Sequence, residues 1–131
     1  MSAESEVRAA SEKFYSALNH MATGDAGPMA QAWSHGAAVT TMHPLGGRDT
    51  GWDKVGPTWS EVAKIASGGQ VKLHDQHIHA AGDMAYEVGV ERDMSQWEDA
   101  RSTLITVSPM YIAEKPGRGK LSTTTRIFLR R

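Results

Sequence analysis

With 131 residues the chain can bury one modest hydrophobic core, and a single domain over 1–131 is expected. Hydrophobic residues make up 40% and charged residues 22%, with a formal net charge of -1. That balance gives neither a basic surface for nucleic acid nor the charge excess of a disordered chain. No apolar run is long enough to span a membrane, and "MSAESEVRAASEKF" lacks the order of a signal peptide, so a cytoplasmic location is expected. The absence of cysteine removes disulfides, thiolate nucleophiles and Cys-ligated zinc.

In chain order, "SAESEVRAASEKFYSALNHMATGD" places Val7, Ala10, Phe14, Ala17, Leu18 and Met21 on one stripe at helical spacing. It predicts an amphipathic helix stopped at Thr23–Gly24–Asp25. "AGPMAQAWSHGA" has Pro28 near a helix start and Gly36 beyond its end, which predicts a short second helix. "AVTTMHPLGG" reads as a strand running into a loop. A third helix is expected in "GWDKVGPTWSEVAKIASGG", with Trp52, Val55, Trp59, Val62, Ala63 and Ala66 on one face. Its start is expected late because of Pro57, and Gly68–Gly69 ends it.

"QVKLHDQHIHAAGDMAYEVGVE" predicts a hairpin turning at Gly82–Asp83. In its second arm Met84, Tyr86, Val88 and Val90 share a face, and that strand is expected to be central. The first arm changes phase between Leu73 and Ile78, the signature of a bulge. Two further strands are expected over 103–113 and 120–130, with Pro109 best placed at an edge or bulge. Helix, helix, strand, helix and then consecutive strands make an α+β pattern, with helices on one side of an antiparallel sheet.

Taken together, "FYSALNHMATGD", "VTTMHPLGG", "GWDKVGPTW" and "DMAYEVGVE" resemble the nuclear-transport-factor-2-like superfamily over residues 8–92. Within it, the nearest likeness is to the SnoaL-like branch, whose members are often labelled polyketide cyclases. The resemblance implies a cone-shaped α+β barrel, a curved antiparallel sheet wrapped by three N-terminal helices around a pocket, and a homodimer. Members use that pocket for aldol-type cyclisation, ketosteroid isomerisation, dehydration or plain binding, so the fold does not fix the reaction.

The last third departs from the family. Many SnoaL-like relatives end in strands of the type "HRVTNVYRREAGxWKIVHHHTD", and the written frame holds nothing similar. A shifted frame does. With codons TCC ACC ACC ACA for Ser122–Thr125, reading from each third base gives CAC CAC CAC. ACG and GAT can follow through Arg126–Ile127, spelling HHHTD. In the same way Tyr111–Gly117 gives YRREAG, Arg118–Lys120 gives WK, and Thr106–Tyr111 gives RVTNV. Two bases of every shifted codon are fixed by the next residue, which leaves little room for chance. Residues 93–131 therefore read as family sequence translated out of frame, from a point between Arg92 and Arg101.

Among candidate functional residues, His43 ends the first strand just before Pro44–Leu45–Gly46. Ketosteroid isomerases carry their general-base aspartate at the similar place, so the resemblance implies a catalytic base. An imidazole suits proton transfer near neutral pH. A structural histidine capping the loop is the other reading. Phe14 stands where that isomerase has its oxyanion-donating tyrosine; Tyr15 is adjacent but is expected to face elsewhere on the helix. The chain thus departs from the isomerase pattern.

Trp33, Met42, Trp52, Trp59 and Tyr86 are candidates to line a pocket for a small apolar or aromatic ligand, though each would also serve as ordinary core. His77, His79 and Asp75 share a strand face, but without metal-ligand spacing they read as an ordinary face, and no metal or cofactor is expected. Asp75, Glu87 and Glu91 are read as paired or solvated strand residues. The function expected is cofactor-free acid–base chemistry of the polyketide cyclase or isomerase type on a small ketone, impaired by the altered tail. A non-catalytic binding or dimerisation module of the same fold is the alternative.

Overall fold

A computed structural model describes residues 2–42, 47–66, 68–81, 84–93, 104–113, 119–121 and 123–128. The first helix, α1 (Ala3–Met21), is capped by Ser2, whose hydroxyl accepts from the Ser5 backbone N–H at 3.2 Å. Glu4 and Glu6 stand in its first turn, where the helix dipole favours negative charge. It buries Val7, Ser11, Phe14, Tyr15, Ala17, Leu18 and Met21, and Gly24, at φ 102°, reverses the chain after it. The stripe read from the sequence is this face, with Ser11 and Tyr15 added to it. A short α2 (Gly27–Ala32) follows, with Pro28 in its first turn.

β1 (Thr40–Met42) pairs antiparallel with β2 (Arg48–Thr50), a short strand the sequence pattern had not suggested. α3 (Trp52–Ile65) starts well before Pro57, contrary to the late start expected. Its first turn is anchored from outside, since Gly51 N–H donates to Val39 O at 2.7 Å and Trp52 N–H to Gly36 O at 3.1 Å. Pro57, the sixth residue of α3, lacks the N–H that would bond the Asp53 carbonyl, and the anchored first turn offsets that loss.

β3 (Val71–Ala81) and β4 (Met84–Asp93) form the expected hairpin, with Ala81 opposite Met84. The register shifts between His74 and His77, so Asp75 and Gln76 together oppose Gly89. Asp75 adopts φ 52°, a left-handed conformation that Asp tolerates better than most residues. The bulge turns Gln76 and Ile78 towards α1. β5 (Leu104–Ala113), β6 (Gly119–Leu121) and β7 (Thr123–Phe128) complete one seven-stranded sheet. Its order is β2-β1-β7-β5-β4-β3, with β6 paired to β5. Only β1–β7 is parallel. β4 is flanked on both sides, but the centre of the sheet is β5, which pairs with β4, β6 and β7.

The core lies between the helices and the sheet. Phe14, Met29, Trp33, Val39, Val55 and Trp59 are its most enclosed apolar members. Gly89 has a steric role: a Cβ there would stand 2.5 Å from Leu73 Cδ1 and 3.0 Å from His74 O. Gly89→Ala should therefore lower the unfolding free energy by about 1–3 kcal/mol through overpacking. Urea titration checks this, and Leu73→Ala in the same chain should recover part of the loss.

Candidate functional site

Two polar features are built into the helix side of the sheet. The first lies under α1. Ala85, Glu87, Gly89 and Glu91 alternate on the buried face of β4, and both carboxylates are enclosed, at 1% exposure for Glu87 and 4% for Glu91. Ser11 Oγ donates to Glu87 Oε1 at 2.9 Å, and Gln76 Nε2 donates to Glu87 Oε2. Arg8 Nη1 donates to Gln76 Oε1, which turns the Gln76 amide N–H groups inward. One turn further along α1, Tyr15 Oη donates to Glu91 Oε1 at 2.8 Å. A groove of about 370 Å³ opens between α1 and β3, and Ser11, Tyr15 and Gln76 line it together with Asn19, Val71 and Leu73.

Burial pushes the Glu87 carboxyl above its ordinary range. The hydrogen bonds from Gln76 and Ser11, and the charge of Arg8, pull the other way without cancelling it, and the charge of Glu91 adds to the rise. The group therefore takes up a proton more readily than a solvated glutamate, and a protonated carboxyl can donate as well as accept.

The second feature lies beside α3. Phe14, Trp33 and Trp59 meet edge-on or tilted, with ring centroids 6.0 to 6.5 Å apart. Val39, just before β1, and Thr41 within it are enclosed at 2% and 0% exposure, and Val39 packs in the cluster that contains Trp33. Among the described residues, Trp33 Nε1 and Thr41 Oγ1 are enclosed without a hydrogen-bond partner, as is His74 Nε2 on β3. An orphaned buried polar group costs about 1–3 kcal/mol. Opposite Thr41 in the β1–β2 register stands Asp49, whose Oδ2 accepts from the Thr58 hydroxyl at 2.8 Å.

The register ties the two features together. Glu87 is opposite Ser108, Val107 is opposite Thr125, and Thr41 is opposite Thr124. One level of the sheet therefore carries Glu87, Ser108, Thr124 and Thr41 in sequence from β4 to β1.

The expected site residues are only partly assembled. Trp33 and Trp59 meet in the core, 6.0 Å apart. Trp52 instead stacks on His35 at 4.1 Å with the rings 9° from parallel. Tyr86 is on the other side of the sheet, 44% exposed and 5.2 Å from the His79 ring, so it cannot line an interior pocket. The alternation of β4 showed which residues share a face, but not that α1 would cover the glutamate face. His43 and the side chain of Met42 lie outside the described residues. Among the described residues, no three His, Asp or Glu side chains come together to hold a metal, and no helix is long and apolar enough to cross a membrane.

No protein-family model matches the chain, and no curated protein matches it either. Solved structures do. A protein provisionally named a calcium/calmodulin-dependent protein kinase type II association domain, from Thiobacillus denitrificans ATCC 25259, superposes with a TM-score of 0.81. Identity is 18%, over 94% of each chain. A provisionally named dehydratase of the NTF2-like family from Streptomyces avermitilis gives a TM-score of 0.79 at 19% identity, over 95% of this chain and 94% of that one. A provisionally named ketosteroid isomerase from Shewanella frigidimarina NCIMB 400 gives 0.69 at 14%, over 90% and 91%. The chain has an NTF2-like fold.

Within this NTF2-like fold, sequence reasoning passed over Ser11, Tyr15, Gln76, Glu87 and Glu91 as a site. A signal was present: in "AYEVGVE" the small and acidic residues Ala85, Glu87, Gly89 and Glu91 alternate strictly against Tyr86, Val88 and Val90. Tyr15, expected to face elsewhere on the helix, instead packs edge-on against Phe14 with ring centroids 5.2 Å apart and points its hydroxyl at a buried carboxylate.

The raised Glu87 carboxyl has a consequence for stability. Between the unfolded value near 4.5 and the raised folded value, the native state holds a proton that the unfolded state has lost. This contribution is full below the unfolded value and is lost as pH rises through the folded one. Thermal unfolding from pH 4.5 upward should show that slope, and Glu87→Gln should flatten it. An unchanged slope would place the titration elsewhere.

Proposed function

We propose that the chain is a SnoaL-like protein, a homodimeric α+β cone, that performs cofactor-free acid–base chemistry on a small apolar or aromatic ketone. The observation that carries the reading is Glu87, a carboxyl enclosed at 1% exposure on the helix side of the sheet, whose burial raises its affinity for a proton. Burying a carboxyl costs several kcal/mol that an apolar residue would avoid, and such costs are typical of sites that use the group.

In this reading His43 removes the proton from the carbon beside the ketone. The electron pair moves onto the carbonyl oxygen, and Glu87 supplies a proton to that oxygen or holds the developing charge. Sequence spacing supports His43 as the base, because it follows Thr41 by two positions, the period that places strand residues on one face. Trp33 and Trp59 supply the apolar wall. Acidic and basic groups of the chain suffice for such a step, so no cofactor enters it.

The out-of-frame tail is part of the proposal. It leaves Thr123–Thr125 where relatives carry the HHHTD ending. Threonine hydroxyls form hydrogen bonds but do not titrate near neutrality. Loss of one well-placed electrostatic partner lowers rates by roughly 10²–10³. The chain should therefore exchange the α-protons of 1-tetralone in deuterated water only slowly, as read by NMR. An in-frame ending should accelerate exchange by about that factor, and His43→Ala or Glu87→Gln should remove most of the gain. Equal rates in both versions would reject the assignment.

The coding sequence gives an independent test. Codons for Thr123–Thr125 that do not read CAC in the shifted frame would end the frameshift reading.

A dimerisation module is the second reading. It is favoured by the similarity to the association domain from Thiobacillus denitrificans and by Tyr86, exposed on the outer sheet face beside half-buried Val88 and Val90. A stable dimer in sedimentation velocity, with no proton exchange in either version, would favour it.

A further inference from the structure

A carboxyl that gives up a proton must regain one, and Glu87, at 1% exposure, cannot take it from bulk water directly. Glu87 does not line the groove between α1 and β3, but the two side chains that bond it do: Ser11, 2.9 Å from Oε1, and Gln76 on Oε2. The groove holds about 370 Å³ and runs out to the exposed residues Glu12, Ser16 and Lys72, so water fills it. We infer that Ser11 relays protons between the groove water and the enclosed Glu87 carboxyl.

Of the two partners, Ser11 alone has the chemistry. An amide donates from nitrogen and accepts at oxygen, and it does not pass a proton from one to the other at ordinary pH. Gln76 is moreover fixed at both ends. Its Oε1 is held by Arg8, and its Nε2 serves Glu87 and, at 3.3 Å, Ser11 Oγ. A hydroxyl has one proton to donate and two lone pairs with which to accept. Ser11 directs the proton at Glu87 and one lone pair at Gln76, and the second lone pair is the place for a groove water.

In the relay step the Ser11 O–H bond breaks as its proton moves to Glu87 Oε1. A new O–H bond forms at Ser11 Oγ with a proton from a hydronium ion in the groove, which is left as water. One proton has entered, Ser11 is unchanged, and the reverse sequence empties the carboxyl. The charges acting on Glu87 are those of Arg8 and Glu91, and the charged side chains lining the groove are Glu12 and Lys72. Tyr15, the remaining titratable group of the lining, donates to Glu91. The inference deepens the acid–base reading and rests on it for the use made of the proton, but the relay operates without substrate.

Infrared spectroscopy of the Glu87 carboxyl tests it. At pH 4.5 a carboxyl raised above that value is more than half protonated, and subtracting the spectrum of Glu87→Gln isolates its C=O band. On mixing with deuterated water the band should shift within the mixing time in the unaltered chain. Ser11→Thr keeps the hydroxyl, and Ser11→Val has the same shape without it. Exchange should stay fast in the first and slow by on the order of 10² in the second, the usual yield of a positioned proton-transfer group. Ser16→Trp, a change at an exposed position, should slow exchange by obstructing the groove while Ser11 stays in place.

Equal rates in Ser11→Thr and Ser11→Val would overturn the relay, and an unchanged rate in Ser16→Trp would overturn the groove as its source. If neither Ser11 variant folds, Ser11→Ala set against the unaltered chain makes the same comparison. Failure of the acid–base reading looks different. The carboxyl band would then exchange through Ser11 as expected, while α-proton exchange of 1-tetralone stayed at the uncatalysed rate in every version.

Discussion

Two glutamates on the helix side of β4 decide where α1 can lie. Carboxylates enclosed to this degree must meet donors, and the donors come from α1: Ser11 reaches Glu87 and Tyr15 reaches Glu91, one helical turn apart. Because residues four apart on a helix share a face, and residues four apart on a strand do too, both contacts form only in one alignment of helix and strand. Apolar contacts alone would let α1 slide along the sheet at small cost. Directional bonds to two buried carboxyl groups do not, and Asn19 adds a third tie by bonding both the N–H and the C=O of Val71.

That alignment in turn needs the bulge in β3. An unbroken strand would carry Leu73, Asp75 and His77 towards α1 and leave Gln76 on the far side. The extra residue at the bulge reverses the phase, so Gln76 reaches Glu87, and Ile78 packs with Val7, Ala10 and Ala85. Gly89 completes the arrangement, since the space its side chain would fill is taken by Leu73 and by the His74 carbonyl. The cation–amide–carboxylate chain from Arg8 through Gln76 to Glu87 depends on all three.

The elements were largely legible in the sequence, and the site much less so. Helix stripes, the Gly82–Asp83 hairpin and the bulge follow from local periodicity, which a single sequence carries. Two readings failed for reasons that are not local, and a third held only in part. Pro57 sits inside α3 because distant carbonyls at Gly36 and Val39 anchor the chain ahead of it. Tyr86 faces outward because α1 covers the other side of β4, and an alternating strand does not say which side will be covered. Glu87 and Glu91 were taken for paired or solvated residues. The pairing was right, but their enclosure depends on a helix some 70 residues away, so hydropathy misleads there.

The late strands raise a physical question of their own: what lets a segment with so little turn chemistry take up places in this sheet? Pairing in a sheet needs backbone groups and a two-residue alternation more than particular side chains. "STLITVSPMYIA" and "TTTRIF" supply β-branched residues without a Gly–Asp or Asn–Gly turn to interrupt them. β4, already fixed by α1 and β3, presents an open edge, and such an edge is a template for any chain that can pair. β5 takes it in antiparallel register from Met84–Ile112 to Glu91–Leu104, and β7 then joins β5 to β1. The scaffold of residues 2–93 therefore selects strands by pattern, whereas a site selects residues by chemistry. A change of sequence that keeps the two-residue alternation can keep the first while erasing the second.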